Sequence, residues 1–236
     1  EQFQREMVPI NSSYSYFVSL PLDDSQVQQY IQEPVAALPP ALGGILPPVR
    51  VIAAPYLERN NSKGGDVVTF EKPSENRQIA ASSVELGKEL FFFLAIKDVD
   101  VADYHYTFYN GLASLISYRM KDAQRERFSR LLREELSNEA HGEVEEKSWR
   151  LKQQLLRRQT NLLKDTKLQR EYIRQAFEDT ATLYLHGLCC DIDVEPGRAT
   201  APHRHASEEI WLARGGVGRA SIGGQELGVV AGTRVT

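Results

Sequence analysis

The stretch that decides the fold of the C-terminal part of the chain is GRATAPHRHASEE, residues 197–209. His203 and His205 alternate, so on a β-strand both imidazoles would point to the same side. Glu209 follows after a short turn and could approach them from the returning strand. Two imidazole nitrogens and one carboxylate oxygen form a ligand set that Fe, Mn, Ni or Zn favours when coordination positions stay open. The pattern therefore predicts a metal site, and the alternative is a surface turn in which neither histidine binds a metal.

Two glycines, Gly197 and Gly216, bound this stretch. The spacing Gly, five residues, His-x-His, three residues, Glu, six residues, Gly resembles the first sequence motif of the cupin superfamily. Cupins are small jelly-roll barrels that usually hold one metal ion inside. The resemblance implies that His203, His205 and Glu209 are three metal ligands and that the two glycines are turn positions.

The resemblance also implies a second motif, which opens with Gly, five residues, Pro, any residue, Gly and supplies a histidine as fourth ligand. The segment Gly232–Thr236 fits this opening, so the expected proline and histidine would follow residue 236. By this resemblance residues 183–236 are consecutive antiparallel strands of the N-terminal part of a cupin-like barrel. The implied cofactor is one divalent transition metal (Fe, Mn, Ni or Zn), if the barrel is complete.

Three other histidines are weighed as ligands. By the same resemblance His186 would lie on a strand at the barrel mouth, as a neighbour of the metal site, and the alternative is a structural histidine. His105 follows an aspartate-rich segment, residues 98–103, that resembles a hard-cation loop without its glycine and closing glutamate. We expect this segment to form a turn that caps the following helix. His141 lies in a polar break between predicted helices and should face water.

Residues 1–110 are expected to form an α/β region of unknown family. Two segments, Tyr14–Leu22 and Val49–Ala54, are rich in aromatic or β-branched residues and predict strands. Val67–Phe70 is a third strand candidate, after a turn-rich segment. Asp23 is placed to cap a helix between the first two strands.

The middle of the chain carries helical patterns. Ser82–Glu85 has the form of a capping box and precedes the apolar run Leu86–Ile96, which predicts a helix there. A second helix is predicted from Gly111 to Asn138, and a third from Glu143 to about Thr182. We expect these two helices to pack as an antiparallel hairpin over residues 111–182.

The third predicted helix has two further features. It places Leu155, Leu162, Ala176 and Leu183 in heptad register, which predicts a buried seam. It is also basic, with nine cations and two acids between residues 147 and 174. Such a helix could bind a protein partner or a second copy of the chain, and nucleic acid is a weaker alternative because aromatic residues are sparse. A solvated face offset by neighbouring glutamates is the structural alternative.

Composition bounds the remaining possibilities. The 236 residues are 42% hydrophobic, which is enough for a core, and no window approaches the run of about twenty apolar residues that spans a membrane. The only two cysteines are adjacent, Cys189 and Cys190, and we expect two reduced thiols in a cytoplasmic protein. The expected class is α+β: the N-terminal α/β region, the central helical hairpin and a C-terminal partial cupin-type antiparallel β-barrel.

The resemblance implies a metal-binding cupin-domain protein with a small-molecule ligand in its barrel. Metal-dependent oxygenase, isomerase and lyase activities all occur in that superfamily, so the fold does not choose the reaction. The alternative is a non-enzymatic assembly or regulatory protein, oligomeric or bound to a partner, that uses the basic helix 143–182 as its interaction surface.

Overall fold

The computed structural model describes residues 6–60, 65–138, 145–157, 166–189, 211–212, 217–222, 225–230 and 234–235. Within these ranges the chain is a mixed α+β protein with open sheets, as the sequence predicts for the class. The predicted ligands His203, His205 and Glu209 lie outside the described residues, and so does His141. No helix among the described residues is long and apolar enough to cross a membrane.

Strands dominate the first part of the described chain. They are β1 (Val8–Pro9), β2 (Tyr14–Val18), β3 (Val49–Ala54), β4 (Tyr56–Glu58), β5 (Val67–Thr69), β6 (Gln78–Ile79), β7 (Ala81–Leu86) and β8 (Glu89–Ala95). The main sheet has the order β1-β2-β3-β8-β7, with β2, β3 and β8 parallel and the two edge strands antiparallel. The three strands predicted in residues 1–110 are confirmed as β2, β3 and β5.

The central strand β3 shows why this sheet forms. Val49, Val51 and Ala53 point into the main core, while Ile52 and Ala54 are equally buried on the opposite face. Parallel strands covered on both faces carry such continuous apolar runs. A small sheet of order β5-β4-β6 covers part of that opposite face, where Leu57 packs beside Ala54.

The helix expected over Leu86–Ile96 is wrong, because residues 81–95 form the hairpin of β7 and β8. Gly87, at φ +65°, occupies the first central position of the two-residue turn, where glycine is favoured. Ser82–Glu85 lies in β7 and caps no helix. A short apolar run cannot be assigned by periodicity alone, and here β8 pairs with β3 across the sheet centre.

The helical elements follow the strands β2 and β8. They are α1 (Asp24–Val27), a π-helical segment (Gln28–Gln32), α2 (Glu33–Ala36), a 3₁₀ turn (Pro40–Gly44), α3 (Val101–Arg119), α4 (Asp122–Ser137), α5 (Glu146–Arg157) and α6 (Lys167–Cys189). Both predicted caps are confirmed: the Asp23 side chain accepts from Gln26 N at 2.8 Å, and the Asp100 side chain accepts from Ala102 N at 2.9 Å. The aspartate-rich segment therefore starts α3.

The boundaries of the long helices differ from the predictions. The second helix, expected over 111–138, already begins at Val101 as α3 and is broken at Met120 before α4. A single helix over 143–182 is also wrong, because α5 and α6 lie side by side: Leu155 packs with Tyr172 and Ile173. Two helices that bury each other's apolar faces in this way are more stable than one exposed rod.

Helix α3 connects the sheet to the long helices. Its apolar side, including Phe108, Tyr109 and Leu112, packs on the sheet in the main core. Phe92 of β8 lies in that core against Gly111 of α3, where a side chain would have no room. The opposite side of α3 carries polar side chains that meet α6.

The described C-terminal strands pair in a nested order. They are β9 (Trp211–Leu212), β10 (Val217–Ile222), β11 (Gln225–Val230) and β12 (Arg234–Val235). β10 pairs with β11 antiparallel, with Val217 opposite Val230 and Ile222 opposite Gln225. β9 and β12 pair antiparallel outside that hairpin. The prediction of strands between residues 183 and 189 is wrong, because α6 extends to Cys189.

Candidate functional site

Among the described residues no group of three or more His, Cys, Asp or Glu side chains is arranged to hold a metal ion. The predicted ligands all precede β9, with Glu209 two residues before its first strand residue. The expectation that His203 and His205 share one inward face stays a prediction, because both lie outside the described ranges.

His186 does not lie on a strand at a barrel mouth; it lies on helix α6. Its ring meets the rings of Tyr106 and Tyr109 of α3 edge to face, with centroid distances of 5.9 and 6.1 Å. Burial lowers the pKa of His186, nearby His105 lowers it further, and a hydrogen bond with the Ala102 carbonyl acts in the opposite direction. The structure therefore favours a neutral imidazole packed between two helices.

His186 belongs to a row of polar side chains on one face of α6 that we call the polar seam. Helix α3 contacts this row at Thr182, His186 and Cys189, and Ser148 of α5 meets Asp179. On α6 its members are spaced by four, three, four and three residues, and therefore lie on one helical face. They are Gln175, Asp179, Thr182, His186 and Cys189. Helix packing normally buries apolar residues at this spacing, so a polar row here is unusual.

Residues of α3 contact α6 in the opposite sequence order, as expected for two antiparallel helices. Asn110 Nδ2 donates to Thr182 Oγ1 at 3.3 Å, near the middle of the seam. Ser114 Oγ donates to Glu178 Oε1 at 3.4 Å, one helical turn away. Thr182 is fully buried and also donates to the Glu178 carbonyl at 2.7 Å, within its own helix. These contacts satisfy buried polar groups that would otherwise destabilise the interface.

One end of the seam is acidic. Tyr106 OH donates to Glu145 Oε1, and burial followed by this contact raises the pKa of the Tyr106 hydroxyl. Asp179 is 4% exposed; Gln175 Nε2 donates to its Oδ1 at 2.8 Å, while its Oδ2 has no hydrogen-bond partner among the described residues. Burial raises the pKa of Asp179, Glu145 adds to the rise, and hydrogen bonds with Ser148 and Gln175 oppose it. Folding therefore favours the protonated form of Asp179.

The other end of the seam joins a thiol to an imidazole. Cys189 Sγ lies 3.6 Å from Nδ1 of His105, and Cys189 is a free, partly exposed cysteine. His105 is 4% exposed, and its Nε2 lies 2.7 Å from the carbonyl oxygen of Gln29. Gln29 belongs to the π-helical segment, a rare conformation that often occurs at functional sites.

The basic surface expected on helix 143–182 is smaller than the sequence implies. Lys152 is 2% exposed, so its side chain is not available to a partner. Arg150 pairs with Glu146, and Arg174 pairs with Glu178 at 3.2 Å. Trp149 of α5 is half exposed. The described surface is thus less cationic than the sequence, with one large exposed aromatic side chain.

The polar seam was missed by sequence reasoning, although a signal was present. The predicted heptad seam used Ala176 and Leu183, and Leu183 proves to be 39% exposed. Leu155 and Ala176 of the predicted seam are buried, and α6 also buries Asp179 and Thr182 on the face that carries the half-buried His186. A search for any residue type at heptad spacing, rather than for leucine alone, would have indicated this face.

Comparison with known proteins adds no relative. No protein-family model matches the chain, and neither a curated protein nor a solved structure matches it.

Proposed function

We propose that the C-terminal part of this chain is a metal-binding cupin-type domain in which His203, His205 and Glu209 hold one divalent transition metal. The observation that carries this proposal is the nested pairing of the strands that follow the motif: β9 pairs with β12 around the β10–β11 hairpin. Antiparallel barrels are built from consecutive strands of this kind. In the sequence the ligand motif directly precedes the first of these strands.

The chemistry of the ligand set limits the reactions. Two imidazoles and one carboxylate leave positions open, so a metal held there supplies Lewis acidity or a place for O₂ and substrate to bind side by side. A small-molecule oxygenase, isomerase or lyase is therefore the function that we favour. Cys189 is a free thiol in the structure, which fits the cytoplasmic location that we infer.

The experiment measures bound metal in protein that includes the second motif expected after residue 236, reconstituted with Fe(II), Mn, Ni or Zn and then dialysed. We expect about one metal per chain, loss of that metal in His203→Ala, and retention in His141→Ala. Removing one ligand from a site of three or four removes a large part of the binding free energy. Stoichiometric metal in His203→Ala, or none in the reconstituted wild type, would show that the motif is not a metal site.

A second candidate function is an interaction protein that uses α5. Trp149 favours it, because tryptophan is enriched at protein interfaces and this one is half exposed on the helix surface. The buried Lys152 and the paired Arg150 count against a nucleic-acid surface. Light scattering of wild type and Trp149→Ala separates these cases: a mass of one chain for both proteins excludes self-association through this helix.

A further inference from the structure

The geometry points to a second reactive site: Cys189 and His105 form a thiol–imidazole pair that exchanges with small disulfides. The two residues come from different helices, α6 and α3, and their Sγ and Nδ1 atoms are 3.6 Å apart. This site is independent of the metal motif proposed for residues 203–209.

The tautomer of His105 follows from its partners. A carbonyl oxygen can only accept a hydrogen bond, so the nitrogen 2.7 Å from the Gln29 oxygen, Nε2, carries the proton. In the neutral ring Nδ1 is then the basic nitrogen, and it faces Cys189 Sγ. A nucleophile within reach of a base that a third group orients is the arrangement found in activated nucleophiles. Here the third group is the main chain of the π-helical segment.

The position of Cys189 in its helix makes formation of the thiolate depend on His105. Cys189 is the last residue of α6, and the C-terminal pole of a helix does not stabilise an anion. The residue is nevertheless partly exposed, so a small reagent can reach the sulfur. His105 is nine-tenths buried and fixed by Gln29, which holds the base in place as the reagent approaches.

The reaction is a balanced exchange. The Cys189 proton moves to His105 Nδ1, and the thiolate sulfur attacks one sulfur of the disulfide. The disulfide bond of the reagent breaks, and a mixed disulfide with Cys189 forms. The leaving thiolate takes the proton from the imidazolium, which restores neutral His105. The Cys189 sulfur is oxidised to the disulfide level and the leaving sulfur is reduced to a thiol.

The test uses the fact that the chain has two cysteines, which are adjacent. Cys190→Ser leaves Cys189 as the one thiol, and Cys189→Ser leaves Cys190 as a matched control. Each protein is prepared with and without His105→Gln, whose amide N–H can still donate to the Gln29 carbonyl but which has no basic nitrogen. The rate of reaction with dithiodipyridine, a chromogenic small disulfide, is measured near neutral pH.

We expect His105→Gln to slow Cys189 by about tenfold or more, a conservative figure for the loss of a general base, and to change Cys190 by less than about twofold. A purely structural role would have the opposite sign, because looser packing would expose Cys189 and speed its reaction. An unchanged or faster Cys189 rate in His105→Gln would overturn the proposal.

Circular dichroism establishes whether His105→Gln is folded. If it is not, the Cys190→Ser protein is compared in its native state and in urea. Faster reaction of the native thiol than of the unfolded one supports activation by the fold. Equal or slower reaction of the native thiol overturns it.

Discussion

Gly111 provides the sharpest test of how α3 lies on the sheet. A Cβ atom built at this position would lie 2.3 Å from Cζ and 2.8 Å from Cε2 of Phe92. Phe92 is 2% exposed and is held in the core between Phe108 and the neighbouring strands, with ring centroids of the two phenylalanines 5.9 Å apart. A rigid aromatic ring in a packed core cannot move aside without displacing its neighbours. We therefore predict that Gly111→Ala destabilises the protein.

Two effects of opposite sign set the magnitude. Alanine in a helix interior is more stable than glycine by roughly 0.5–1 kcal/mol. Inserting a methyl group into a packed core costs typically about 1–3 kcal/mol. The overlap at Gly111 is severe enough to expect the upper half of that range, so the net loss in the free energy of unfolding should be about 1–2.5 kcal/mol.

Gly187 is the matched control, because it lies in α6 and a Cβ built there meets nothing within 4 Å. Gly187→Ala should therefore stabilise the protein by up to about 1 kcal/mol. Phe92→Leu removes the ring atoms that the new methyl group would meet. In the double variant, Gly111→Ala should then cost less than it does alone, and the difference is a measurable coupling energy.

Urea unfolding followed by circular dichroism measures the wild type and all four variants. If Gly111→Ala is as stable as the wild type, or gains the same free energy as Gly187→Ala, then α3 does not lie on Phe92 as described. If the changes in the free energy of unfolding caused by Gly111→Ala and Phe92→Leu simply added in the double variant, residues 111 and 92 would not be in contact.

Two further predictions concern α6. Asp179→Asn should stabilise the protein near pH 7 by about 1 kcal/mol, a typical cost of a buried acceptor without a partner. Since the pKa of Asp179 is raised in the folded state, its destabilising effect is absent below the unfolded pKa and appears as the pH rises toward the folded pKa. Thermal unfolding of wild type and Asp179→Asn should therefore converge at about pH 3, and a constant difference across pH would disprove this reasoning. Leu185→Ala should cost about 2–5 kcal/mol, because Leu185 is 4% exposed, whereas Leu183→Ala should cost less than about 1 kcal/mol. If urea unfolding showed the same loss in the free energy of unfolding for both variants, Leu183 would be buried, as its heptad position predicts.

Local features of the fold were predictable from the sequence. Strands β2 and β3 consist of residues that suit a buried sheet, and Asp23 and Asp100 cap the helices that follow them. Each of these features depends on neighbouring residues in the chain, so a single sequence contains the information. The metal motif of residues 197–216 is local in the same sense, and its function remains the prediction that bound-metal measurements will decide.

Contacts between distant residues decided the rest. Residues 81–95 form a hairpin because β8 pairs with β3, a strand about forty residues earlier in the chain. The apolar run Phe91–Leu94 alone does not indicate which segment it pairs with. The burial of Thr182 likewise depends on a distant helix, because Asn110 of α3 donates a hydrogen bond to its hydroxyl. The packing of α3 against α6 also brings His105 to Cys189, across 84 residues of sequence. Local sequence therefore determined several strands and two helix caps, while the pairing of elements determined the structure of residues 81–95, the buried faces of the long helices and the candidate thiol site.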